Sequence, residues 1–218
     1  LQIQALTAGQ IQALSTDQVA AIETADVAAL TTGQVAALAT YQIGSWLTTD
    51  QIAALGTVQV AALTTTQINA GLTTHQIAAL TSDQVQALTS NQIHYGLNTA
   101  QIVALTSDQV MALTTTQVRG LTTDQVAVIE TGDIAALTTE QIGALTTTQI
   151  RAGLGTDQII ALSTDQIFAL NTMQVHDGLN TEQIVALSTS QIAALRTDQI
   201  NALSTEQVSV IETADIAA

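Results

Sequence analysis

The chain has no cysteine, no proline and no lysine, and its only three cations are arginines, set against eighteen acids. Without cysteine there is neither a disulfide framework nor a thiolate site. A formal net charge of −15 excludes a phosphate-tracking surface, because nucleic-acid affinity rests on Lys and Arg; no nucleic-acid partner is expected. No apolar run reaches the roughly 18 residues that a membrane helix needs, so no membrane insertion is expected either. There is no initiator Met and no basic leader-like start, and Leu1 therefore reads as an internal or processed end. Only four residues are aromatic although 47% are hydrophobic, which leaves Ala, Leu, Ile and Val to fill a core. Nucleophile elbows, P-loops, dinucleotide fingerprints and metal-ligand clusters are all missing, and no enzyme is expected.

What is present is repetition. Taking Gln51-Ile52-Ala53-Ala54-Leu55 as anchor, the same pattern recurs in 27 units along the 218 residues. Ile or Val follows the Gln in all 27, and the Gln is replaced three times, always by Asp (Asp26, Asp133, Asp215). Of the 26 units that run to completion, 23 close on Leu and three on Ile. Two residues before the Gln lies Thr or Ser, Ala8 being the exception. The consensus T-T-x-Q-[IV]-x-A-L is an octad.

Some units carry a ninth residue, as in those ending Trp46-Leu47, Gly71-Leu72, Gly96-Leu97, Gly153-Leu154 and Gly178-Leu179. Runs of them fall at every third unit, so two octads and one lengthened octad make a larger period, read as one structural turn. Asn69, His94 and Arg119 are 25 apart, and so are Arg151, His176 and Asn201. The segments Ile22-Glu23-Thr24, Ile129-Glu130-Thr131 and Ile211-Glu212-Thr213 each precede an Asp unit. Gln18 to Gln51 and Gln125 to Gln158 each cover three octads and one lengthened octad. Each such site is therefore expected to add an octad to a turn, giving one coil an extra side. Residues 1–218 thus read as one continuous array with sub-blocks 18–124 and 125–206, ending in an unfinished unit at Ala217-Ala218. An end of that kind suits a piece of something longer, or a subunit that stacks on its neighbour.

Angle excludes one long helix, since eight residues at about 100° leave the apolar stripe drifting about 80° per unit. Strand alternation would put Ile52 and Leu55 on opposite faces. A short helix restarted in every octad fits both. Thr48-Thr49-Asp50-Gln51 is a capping box, with Leu47 and Ile52 placed as a hydrophobic staple; Thr49 is the other candidate cap. Gly before Leu is expected to loosen or extend the helix end. Helices this short are unstable alone, so stacking must hold them. The fold expected is an all-α solenoid with three capped helices per turn; a three-sided β-solenoid is the alternative.

The most site-like feature is the polar column Asn69, His94, Arg119 with its partner Arg151, His176, Asn201, a candidate interaction edge. The competing reading is an exposed corner that tolerates polar residues. Acids mostly precede the Gln, where they complement the helix dipole. Columns such as Asp83 with Asp108, or Asp157 with Glu182, are candidates for weak calcium binding between layers. There is, however, no EF-hand spacing and no Gly-rich nonapeptide, and a solvated face accounts for them; no other cofactor is expected. Glu23/Asp26, Glu130/Asp133 and Glu212/Asp215 read as structural variants rather than catalytic carboxylate pairs. Trp46, Tyr41, Tyr95 and Phe168 look too scattered to stack bases or sugars, and core or corner filling is expected of them. The Thr residues are explained by capping, which turns their hydroxyls from an ice-binding role.

Segments such as Ser15-Thr16-Asp17-Gln18-Val19-Ala20-Ala21-Ile22-Glu23-Thr24-Ala25-Asp26 resemble the Leu-Thr-Thr-x-Gln-Ile/Val repeats of very large, cysteine-free bacterial exoproteins of adhesin-like or haem-utilisation-like type. The resemblance covers the whole chain, and implies a secreted or surface-attached bacterial protein. Two functions follow as expectations. One is an extracellular stalk or filament segment that self-associates end to end as a homo-oligomer. The other is an adhesin-type module that uses the Asn/His/Arg edge to hold a glycan, haem or a surface.

Overall fold

The computed structural model describes residues 2–211; Leu1, Glu212, Thr213, Asp215 and Ala217-Ala218, on which expectations were placed, lie outside them. The chain folds as two compact units, Leu1–Ala112 and Leu113–Ala218. Among the described residues there is no strand, only a succession of short helices, one per octad. The all-α solenoid is the fold.

One octad shows how the sequence makes so short a helix. Thr81 is extended (φ −75°, ψ 159°) and its hydroxyl accepts from the Gln84 N–H. The Thr81 N–H donates back to Gln84 Oε1 at 2.8 Å, which closes the capping box. The helix Ser82–Ala87 follows, and it stops where the Leu88 N–H donates to the Val85 carbonyl at 3.2 Å. That i→i+3 bond tightens the last turn. Leu and the next cap are both extended, as at Leu137 (ψ 144°) and Thr138 (ψ 161°), and these two residues turn the corner. Between the two candidate caps the structure selects Thr48, whose hydroxyl accepts from Gln51.

Octads stack three apart throughout each unit. In unit 1 the helix Thr57–Ala61 packs on Ser82–Ala87, and Ser82–Ala87 on Ser107–Ala112. In unit 2, Thr131–Ala136 packs on Thr156–Ala161, and that helix on Thr181–Ala186. The residue after each Gln and the closing Leu form the core: Val85 is 0% exposed and Leu88 3%. Burial of each such side chain contributes about 1.5–3 kcal/mol before entropy.

The Glu-Thr sites do not add a side to a coil. Thr16–Ala20 still packs on Thr40–Trp46, and Thr24–Ala28 on Thr49–Ala53, so the stretch from Gln18 to Gln51 is one turn plus one octad. What varies is turn length. Gln18 to Gln42 and Gln125 to Gln149 are each three plain octads, with no lengthened one between them, whereas Gln67 to Gln92 includes one.

The ninth residue is absorbed without a break. In the wide octads the closing Leu donates to the Gln five residues back: Leu47 to Gln42, Leu72 to Gln67, Leu97 to Gln92, Leu154 to Gln149 and Leu179 to Gln174, all at 3.0–3.1 Å. This is a single wide turn of the π type. The Gly before Leu is not a left-handed cap, since no described residue has positive φ. It is small because the next layer lies against it. A Cβ on Gly96 would sit 3.3 Å from the Ile68 side chain, and one on Gly178 would sit 3.4 Å from Ile150.

Candidate functional site

The feature repeated most faithfully is the Gln. Its carbonyl oxygen is used within the octad, accepting from the cap N–H. Its amide reaches across a turn. Gln84 Nε2 donates to the carbonyls of Ile52 at 3.0 Å and Leu55 at 2.6 Å, and in unit 2 Gln166 Nε2 donates to Ile134 at 3.1 Å and Leu137 at 2.7 Å. Those carbonyls belong to the last turn of a helix four octads earlier, where four C=O groups have no intrahelical partner. One buried amide therefore starts its own helix and finishes another, and no buried side-chain polar atom among the described residues is left without a partner. Read as a capping box alone, the Gln role was half legible. A signal for the other half is present: a capping box accepts Glu as readily as Gln, yet Glu stands at none of the 27 positions. A carboxylate has no N–H to send across the turn.

Asp at this position lacks that donor. Asp26 and Asp133 head helices whose caps, Glu23 and Glu130, make no side-chain cap bond. Beside Glu130 opens a polar cleft of about 350 Å³ lined by Thr131, Gly155 and Asp157. No group of three or more His, Cys, Asp or Glu among the described residues is placed to hold a metal ion.

Within each unit, members of the polar columns come together on stacked layers. In unit 1, Asn69 and His94 lie on consecutive stacked wide turns, Gln67–Gly71 and Gln92–Gly96, and the Asn98 amide ties the layers by donating to the Asn69 carbonyl at 3.2 Å. In unit 2, Arg151, His176 and Asn201 lie on three successive layers of one side. Asn180 donates to the Arg151 carbonyl at 3.1 Å, and His176 Nδ1 lies 2.7 Å from Asp177 Oδ1. Thr172, His176, Asp177 and Asn201 line a cleft of about 420 Å³. Arg119 stands apart from Arg151. Its helix Thr115–Gly120 stacks on Thr139–Ala144, whereas the Arg151 turn stacks on Thr123–Ala127, so the two arginines occupy different sides of unit 2.

The octad anatomy has a counterpart among known families. The ALTTAQ repeat matches residues 19–57, 70–94, 96–123, 126–164 and 176–205, more than half of the chain. The chain belongs to the ALTTAQ repeat family. No match to it was found among curated proteins. The third arginine of this ALTTAQ array supplements a Gln staple. Arg196 occupies a cap position, donates to the carbonyls of Phe168 and Leu170, and lies 5.0 Å above the Phe168 ring. It also grips Asp198 through two hydrogen bonds of 3.0 and 3.2 Å, which holds that carboxyl below its ordinary pKa. Glu140 is likewise lowered, first by a backbone hydrogen bond and then by the hydroxyls of Thr138 and Thr139.

The aromatic residues are not scattered in space. Tyr41 and Trp46 are on the wide helix Thr40–Trp46, which packs on Gln67–Gly71, and that turn packs on Gln92–Gly96, which carries Tyr95. Three of the four aromatics thus share one side of unit 1. Nor do they fill the core: Tyr41 is 53% exposed and Tyr95 67%. Residues 41, 46 and 95 look unrelated along the chain because the three-octad turn, rather than local spacing, brings them together.

Proposed function

We propose that this ALTTAQ array is a non-catalytic segment of an extracellular stalk or filament of a bacterial surface, lengthened by end-to-end stacking of solenoid turns. The observation that carries this reading is the polarity of every layer, which donates Gln amides on one face and offers helix-end carbonyls on the other. A further turn can therefore join by the contacts already used inside. Gln10 and Gln18 close their own capping boxes but are exposed, and their amides have no acceptor among the described residues. Ile200 and Val208 stand at positions buried in every octad from Gln10 to Gln191, yet are 42% and 50% exposed. The lack of cysteine and the acidic charge suit an extracellular setting.

Electron microscopy of the purified chain at high concentration tests the assembly. Filaments with a repeating rise are expected, and the double variant Gln10→Glu, Gln18→Glu should give short particles. Only isolated short particles from the unaltered chain would sink the reading. Immunolabelling of intact cells tests the location; signal only after permeabilisation would overturn it.

A second reading, adhesin-type binding of a glycan, haem or a surface, is favoured by the cleft beside His176 and Asn201. Loss of adhesion in Arg151→Ala, His176→Ala would support it, and unchanged adhesion would dispose of it.

A further inference from the structure

The wide octads of unit 1 create a surface that the stalk reading leaves unused. Tyr41 and Trp46 meet edge to face, with centroids 4.7 Å apart, and His94 and Tyr95 do the same at 4.3 Å. One stacked layer separates the two pairs, and it contributes only small residues, Thr66, Asn69 and Ala70, all exposed. That middle layer sits close to the first, because a Cβ on Gly44 would collide with the Gly71 carbonyl oxygen. The result is a low floor of small residues between two aromatic walls.

We propose that this side of unit 1 is a binding platform for a neutral polysaccharide of β-linked hexopyranoses. The apolar C–H face of such a sugar stacks on an aromatic ring, and its rim of hydroxyls suits the amide of Asn69 and the hydroxyls of Thr66 and the tyrosines. Charge fixes the class. Residues 40–46, 66–71 and 91–96 contain no acid, Lys or Arg, on a chain with a net charge of −15. All three arginines lie beyond residue 112. Unit 1 accordingly offers no Lys or Arg to an anionic glycan or to nucleic acid, whose binding depends on them. Spacing fixes the size. Two helix layers separate the walls by roughly 16–20 Å, a span that an extended polymer bridges and a single sugar does not. The proposal stands apart from both the end-to-end contacts and the His176 edge of unit 2.

Native electrophoresis of the full chain in gels containing hydroxyethyl cellulose, galactomannan or alginate tests it, with fluorescence of Trp46, the single tryptophan, as a second readout. Retardation by a neutral polymer is expected, with no retardation by alginate. Soluble cello-oligosaccharides should shift the Trp46 emission saturably. Tyr95→Ala, an exposed change that spares the core, should weaken retardation roughly tenfold, as loss of one stacked ring implies. Trp46→Ala should do the same with its helical circular dichroism intact. Arg151→Ala, His176→Ala and Phe168→Ala should each be retarded as strongly as the parent, relative to their own mobility in a polymer-free gel. The proposal is overturned if neither neutral polymer retards the chain, if Tyr95→Ala is retarded as strongly as the parent, or if retardation is lost with the unit 2 changes instead.

Discussion

The wide-octad side of unit 1 and its counterpart in unit 2 share one backbone and differ in what they display. Both use the Leu-to-Gln bond across five residues, and both set a Gly of the upper layer on an Ile of the lower one, Gly96 on Ile68 and Gly178 on Ile150. Both send the Gln amide to carbonyls of the earlier turn. Gln92 reaches Val60 and Leu63, and Gln174 reaches Ile142 and Leu145. Outside that frame, unit 1 carries Tyr41, Trp46, Asn69, His94 and Tyr95, while unit 2 carries Arg151, His176, Asp177 and Asn201. The octad thus separates two tasks. Gln, Ile or Val and Leu set the scaffold, while the residue before the Gln (Tyr41), the second and third after it and, in one wide octad, the place of the Gly (Trp46) are free to carry chemistry.

The sharpest way to break that comparison is to remove the shared staple. Gln92→Glu and Gln174→Glu each replace two interturn donors by a buried carboxylate facing carbonyl oxygens, a change expected to cost about 3–5 kcal/mol. Urea unfolding followed by circular dichroism should show similar losses for both; a small loss in only one would mean the frames are not equivalent. Next in size is Gly44→Ala in unit 1, where the new Cβ meets backbone that has no rotamer to yield, at about 1–3 kcal/mol. Gly178→Ala presses only on the Ile150 side chain and should cost less, so equal midpoint shifts would contradict the distinction.

Cap removal should be alike on both sides. Thr73→Ala and Ser204→Ala each take a hydroxyl from an N–H of the first helical turn, at about 0.5–2 kcal/mol, read as a shift in thermal midpoint. The smallest effect should separate the units by pH. Asp198 is held below its ordinary pKa by the hydrogen bonds from Arg196, whereas unit 1 has no Lys or Arg to act this way. The stabilisation is present above the ordinary carboxylate pKa and is lost as pH falls through the lowered folded-state value. Being exposed, it should be slight. Carboxyl carbon NMR should show Asp198 titrating below the ordinary aspartate range, and Arg196→Ala should bring it back; an unmoved Asp198 would refute the assignment.

The octad by itself determined the local structure. A hydroxyl three residues before Gln, apolar residues at the fourth and seventh helical places and the absence of proline leave little but a short capped helix, because every one of those signals acts within a single turn of chain. The recurrence of a lengthened octad at every third unit likewise announced three helices per turn. What only the tertiary structure decided lies between residues three or more octads apart. The second half of the Gln role, the reason for Gly before Leu, the unbroken three-octad stacking past Glu23 and Glu130, and the alignment of Tyr41, Trp46 and Tyr95 on one side all depend on which residues of successive turns come opposite one another. A local pattern cannot carry that information, because which side chains face one another is set by whole turns of chain lying between them, beyond the reach of any signal within one octad.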